Sequence, residues 1–180
     1  MAAAAMGPNT EKNRVNAHNR RKGGRLEYLF YRLLVLLRNR NVIDEVFWYG
    51  RTEKYGICEP APGGKEGNPD LVFVIDDVVF VLELTTFRGT RAQWSGSEAS
   101  SVPDHIAKFK ALHPGRKVVG IFSAPSIHPQ LKQNLALNAK SKNVGMLFRP
   151  CTEFAEFLSA ASREELKRTL LQESENQLRT

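Results

Sequence analysis

Cysteine is nearly absent: the 180 residues hold two, Cys58 and Cys151. Two distant thiols build neither a disulfide framework nor a zinc-ligand cluster, so a reducing, cytoplasmic setting is expected. Long apolar runs are missing as well. The strongest, Leu26–Leu37, is interrupted by Glu27 and Arg32 and bounded by Arg25 and Arg38, whereas a membrane-spanning helix needs about 20 apolar residues in succession. The opening MAAAAMGP has no basic n-region and no long apolar h-region, so it reads as an unstructured tail and not as a secretory signal. There are no internal repeats and no low-complexity tract beyond the alanine run. Acid is in short supply: 19 Asp and Glu stand against 26 Lys and Arg, a net charge of +7. A basic balance of this size suits an anionic partner such as nucleic acid.

What remains is the composition of a folded domain. Hydrophobic residues at 42% and charged residues at 25% exclude wholesale disorder and collagen-like chains. The length is that of one domain, able to bury roughly 70% of the surface its unfolded chain exposes. The expected organisation is a flexible tail with a basic arm over 1–22, then a single domain over 23–180. The charge is concentrated at the start. Within 11–25, Lys12, Arg14, Arg20, Arg21, Lys22 and Arg25 oppose Glu11 alone, among Asn13, Asn16, Asn19, Gly23 and Gly24. This stretch reads as a flexible arm for phosphate contact, through Arg20, Arg21 and Lys22 above all, or else as a solvated leader.

Hydrophobic periodicity predicts a helix over Leu26–Arg38, opened by Gly23-Gly24 and closed at Asn39. Glu45–Tyr49 is a short aromatic strand and residues 59–69 a Pro/Gly loop. Leu71–Ile75 and Val78–Thr85 are strands separated only by Asp76-Asp77, the length of a hairpin turn. Helix is predicted over Val102–Leu112, strand over Lys117–Phe122, helix over Ile127–Lys140 and strand over Val144–Phe148. Two helices follow, Thr152–Leu158 and Ser162–Leu171, the second with capping-box spacing between Ser162 and Glu165. This order predicts an α/β fold, one mixed sheet of about five strands flanked by helices. The final helices are acidic on balance, suited to covering the sheet or to a protein interface.

The chemistry concentrates around the hairpin. Asp70 opens one strand and Glu83 lies near the end of the next. Paired strands lie about 4.8 Å apart, and a turn at 76–77 sets Asp70 opposite a position close to 83. Alternation puts Val81, Glu83 and Thr85 on one face, and Val78, Phe80, Leu82 and Leu84 on the other. A charged Glu in so apolar a strand is costly unless it is paired or holds a metal. Two convergent carboxylates without a Cys or His cluster suit a hard, oxygen-ligated cation, hence Mg²⁺. The competing reading is a surface Asp and a strand-end Glu engaged in an ion pair.

Pro69-Asp70 and Glu83-Leu84-Thr85 resemble the paired motifs of the PD-(D/E)XK nucleases, which have the restriction-endonuclease-like fold. Thr85 stands where that pattern usually has lysine. The run ELTTFRGTRAQWSGSEASSVPDHI further resembles the catalytic domain of AlwI-like type IIS restriction endonucleases and their nicking relatives. There a Glu-x-Thr segment is followed by a second Glu and a Val-x-x-His-Ile helix start, places held here by Glu98 and His105. Glu27, within GGRLEYLFYRLL, resembles the acidic residue of that family's first helix. The resemblance implies Asp70, Glu83 and Glu98 as metal ligands and Glu27 as a fourth acid of the catalytic cluster. Mg²⁺ would be the cofactor, with Mn²⁺ able to substitute. Phosphate or DNA contacts would come from Thr85, Arg91, Gln93, His105 and Lys108. Bland alternatives stand beside these: Glu27 as an exposed helix position, Glu98 as a loop acid near a helix N-terminus, His105 as a surface histidine.

The resemblance implies metal-dependent hydrolysis of double-stranded DNA. No zinc finger and no separate helix-turn-helix block is found. A small catalytic subunit that cuts one strand with a larger DNA-recognition subunit is therefore expected. Its rivals are a self-sufficient homodimer reading bases with its own loops, and a catalytically inactive DNA-binding or assembly module, which the Thr85 departure favours.

Overall fold

The computed structural model describes residues 8–48, 69–86 and 101–180, with only the backbone course given for 8–23. Among these residues the elements run α1 (Pro8–Asn39), β1 (Glu45–Trp48), β2 (Leu71–Ile75), β3 (Val78–Leu84), α2 (Val102–Leu112), β4 (Lys117–Ala124), α3 (Pro129–Ser141), β5 (Gly145–Pro150), α4 (Cys151–Ala160) and α5 (Arg163–Arg179). The strands form one mixed sheet in the order β1-β2-β3-β4-β5. The first two pairings are antiparallel, and β3-β4 and β4-β5 are parallel.

Continuous apolar runs mark strands covered on both faces, and every residue of β2 is buried. Alternation sorts the side chains. Leu71, Phe73, Ile75, Phe80, Leu82 and Ile121 pack under α1, α4 and α5, against Phe30, Leu34, Phe154, Leu158 and Leu166. Val72, Val74, Val79, Val81, Phe122 and Met146 face α2 and α3 through Ile106, Phe109, Leu131 and Leu135. Gly120 sets how closely α2 sits, because a Cβ there would overlap Cδ1 of Ile106.

The hairpin closes as its spacing predicts, with Ile75 paired to Val78. Asp76 adopts a φ of 54°, a left-handed conformation that Asp tolerates better than most residues. Its N–H donates to Asp44 Oδ2 at 2.6 Å. Arg163, opening α5, reaches Asp44 at 2.8 Å and Asp76 at 2.6 Å, and Lys167 reaches Asp76 at 2.7 Å. Hydrogen bonding to Arg163 holds the Asp44 carboxyl below its usual range. Lys167 and then Arg163 do the same for Asp76. This network clamps the turn end of the hairpin.

Two helices are longer than their sequence pattern. The stretch 11–25, expected as a flexible arm, has helical backbone continuous with Leu26–Asn39. Gly23-Gly24 was expected to open the helix, but glycine inside a helix costs only about 1 kcal/mol relative to alanine. The last helix reaches Arg179 instead of Leu171.

Candidate active site

At the end of the hairpin remote from its turn, Leu71 pairs with Leu82. One step outward sets Asp70 opposite Glu83, as the turn arithmetic requires. Both positions alternate onto the face covered by α2 and α3. Asp70 Oδ2 accepts the backbone N–H of Leu84 at 2.7 Å, which fixes the carboxylate against the neighbouring strand. Glu83 is buried, with 7% of its surface exposed. His105, from the second turn of α2, brings Nδ1 to 3.5 Å from Glu83 Oε1. The Gly120 notch permits this approach, because Ile106, next to His105, seats into it.

The donor set suits a hard cation. Mg²⁺ is held by one or two carboxylates, completing its shell with waters and substrate phosphates. Asp70 and Glu83 offer that pair on adjacent strands. Among the described residues no group of three or more His, Cys, Asp and Glu stands together to hold a metal. Glu98, Arg91 and Gln93 lie outside the described residues, as does Cys58.

Glu27 comes from α1, in the layer on the opposite face. Its Oε2 accepts the indole N–H of Trp48 at 3.0 Å, and Trp48 pairs with Leu71. It is therefore tied to the same edge of the sheet as Asp70, through a tryptophan that the sequence pattern did not single out. Thr85 continues the parallel ladder, its N–H donating to Ser123 O at 3.0 Å. Lys108 is exposed on α2. Arg20, Arg21 and Lys22 belong to the backbone of α1. Its axis carries them beyond Glu27 by about 1.5 Å per residue.

Further along the edge, Glu83 pairs with Phe122 and Phe122 with Phe148. The two rings are 6.4 Å apart. Lys132, from the first turn of α3, holds its ammonium 5.9 Å from the Phe148 centroid. Nothing in local sequence marks Lys132, since its position depends on how α3 lies over β5. On the other face Ser123 Oγ is 3.4 Å from Cys151 Sγ, and burial raises the Cys151 thiol above its ordinary range.

The order and pairing of the five strands, with helices on both faces, define a restriction-endonuclease-like fold. The chain is similar to the small subunit of the heterodimeric restriction endonuclease R.BspD6I, with a TM-score of 0.58 and 15% identity over 86% of each chain. A repair endonuclease from Pyrococcus abyssi superposes more loosely, with a TM-score of 0.37 and 22% identity over 67% of this chain and 45% of that one. No protein-family model matches the chain, and no curated protein matches it in sequence. No helix among the described residues is long and apolar enough to cross a membrane.

Proposed function

We propose that this chain is a Mg²⁺-dependent endodeoxyribonuclease, the small catalytic subunit of a type IIS-like restriction enzyme, cutting one strand with a larger DNA-recognition subunit. The observation that carries the reading is the Asp70–Glu83 pair, two carboxylates facing each other across a hairpin whose other residues are almost all apolar. The fold it shares with a heterodimeric enzyme's small subunit supports the subunit role, and the resemblance to AlwI-like enzymes supports the nicking chemistry.

Bound Mg²⁺ would polarise a phosphoryl oxygen and lower the pKa of a water for attack on phosphorus. Hydrolysis adds that water across one P–O bond, leaving a phosphate on one side of the cut and a hydroxyl on the other. Asp70, anchored by the Leu84 N–H, and Glu83, flanked by His105, would hold the ion in one place. Glu98 would add a further acid in this reading, whereas Glu27, expected as a fourth, is held by Trp48 on the opposite face of the sheet. Arg20, Arg21 and Lys22 contact backbone phosphates, fixing position without reading sequence.

The test is cleavage of supercoiled plasmid with Mg²⁺ by wild type and Asp70→Ala, each alone and with a large recognition subunit. Partner-dependent nicking that Asp70→Ala abolishes is the expected result. Specific double-strand cutting by the chain alone would select a homodimeric enzyme. DNA binding without cleavage in either setting would select the inactive module that Thr85 favours.

A further inference from the structure

The lysine usual after Glu83 is replaced by Thr85, so a cation serving this edge must come from another element. Lys132 is placed to be one. Glu83, Phe122 and Phe148 form one row across β3, β4 and β5 on the α2/α3 face. Lys132 is exposed and lies over the last ring of that row. Cation–π attraction holds an ammonium at such a position without neutralising it.

The surroundings separate this lysine from its neighbours. Lys142 pairs with Asp104, Lys117 with Glu175, and Lys167 with Asp76, while Lys110 donates to Asn143 O. Neither Lys132 nor Lys140 has an ion pair among the described residues, and of the two Lys132 is the one that lies over a ring of the row carrying Glu83. Two strand spacings separate Phe148 from Glu83, about 10 Å. That is too far for Lys132 to touch a group held by the carboxylates. It is the scale of a neighbouring phosphate on the same strand, because phosphates wind around the axis and lie further apart than the roughly 3.4 Å of axial rise per nucleotide.

We infer that Lys132, carried on the Phe148 ring, is a phosphate-binding residue that grips the DNA backbone close to, but not at, the bond being cut. The inference rests on the nuclease reading above. It assigns Lys132 to positioning the strand, not to activating water.

The test measures duplex binding by fluorescence anisotropy, without divalent metal, between about 50 and 200 mM salt. Wild type is compared with Lys132→Ala, Lys132→Arg and Lys140→Ala, the last changing an exposed lysine near the other end of the same helix. Lys132→Ala is expected to bind several-fold more weakly and to reduce the slope of log K against log salt by about 0.9, the share of one phosphate contact. Lys132→Arg should restore the slope, and Lys140→Ala should match wild type. An unchanged slope in Lys132→Ala, or an equal loss in Lys140→Ala, overturns the inference while leaving the nuclease reading intact. Failure of the wild type to bind duplex both alone and with the recognition subunit overturns both.

Discussion

Neutralising Glu83 should stabilise the protein when no metal is present and remove most of the stability that metal supplies. The structure sets Glu83 opposite Asp70 and leaves it 7% exposed. Two carboxylates about 5 Å apart repel by about 3 kcal/mol at an effective dielectric of about 20. Asp70 is only half-buried and accepts the Leu84 N–H, so solvent screening and that hydrogen bond bring the figure to about 1–2 kcal/mol. Glu83→Gln removes this repulsion at constant shape and weakens the 3.5 Å approach by His105. For a chain of this size about 1 kcal/mol shifts the melting temperature by about 2–4 °C, so Glu83→Gln should melt about 3–6 °C higher in EDTA. Saturating Mg²⁺ reverses the order. At a hundred times its Kd a ligand adds about 2.7 kcal/mol to the state that binds it, and that gain belongs to wild type. The assay is thermal denaturation in EDTA and across a Mg²⁺ titration, with no dependence on activity. A Glu83→Gln protein that melts lower than wild type in EDTA and gains equally from Mg²⁺ would refute the reasoning. It would make Glu83 one half of a structural ion pair.

Further outcomes follow from other parts of the molecule. Gly120→Ala forces Ile106 aside and should destabilise the fold by about 1–3 kcal/mol; Ile106→Val, by removing the overlapping methyl, should recover part of the loss in urea melts. In the hairpin clamp, Asp44 and Asp76 have folded pKa values below their ordinary ones, so their contribution is complete above about pH 4 and lost as pH falls below it. The stability gap between wild type and Arg163→Ala should therefore be flat from pH 6 to 8 and close in acid, as urea melts across pH would record. Replacing Arg20, Arg21 and Lys22 together by alanine should lower the salt slope of duplex binding by about 2–3, uniformly across sequences. An unchanged slope would make that stretch a leader without a DNA role.

The centre of the sheet was legible because two signals there agree. Alternation assigned the faces of β3, and a two-residue turn fixed the register, so the pairing that brings Asp70 to Glu83 needed no tertiary information. The helix ends were less legible for identifiable reasons. The apolar pattern of α5 is broken at Ser174, which looks like a surface position yet is 2% exposed. Gly145 makes the room, since a Cβ there would lie 3.0 Å from Ser174 Cβ. One turn on, Gln177 accepts the N–H of Met146 at 3.0 Å and donates to Ala136 O at 3.1 Å. A polar residue thus caps β5, an outer strand of the sheet, and continues the helix for a reason hydrophobicity cannot report. The same limit applies at the site. Trp48 holding Glu27 and Lys132 on Phe148 are contacts between elements far apart in sequence, and neither leaves a periodic trace.

The departure at Thr85 is better understood from its position than from its side chain alone. Its N–H extends the β3-β4 ladder to Ser123, and alternation gives it the same face as Glu83. A hydroxyl there can accept or donate a hydrogen bond but carries no charge. In the usual pattern a single lysine can both neutralise phosphate charge and help to activate water. In the proposed reading those tasks separate in this chain. His105 stands at 3.5 Å from Glu83, close enough to act beside the carboxylates. Lys132 stands two strands away, close enough only for the backbone that follows. Separation predicts distinct signatures: His105→Ala should raise the Mg²⁺ concentration needed for half-maximal cleavage while leaving the salt slope of DNA binding alone, and Lys132→Ala should lower that slope without changing the Mg²⁺ requirement. If both variants altered both quantities together, the two side chains would be acting as one site, and the division of labour inferred from the strand spacing would be wrong.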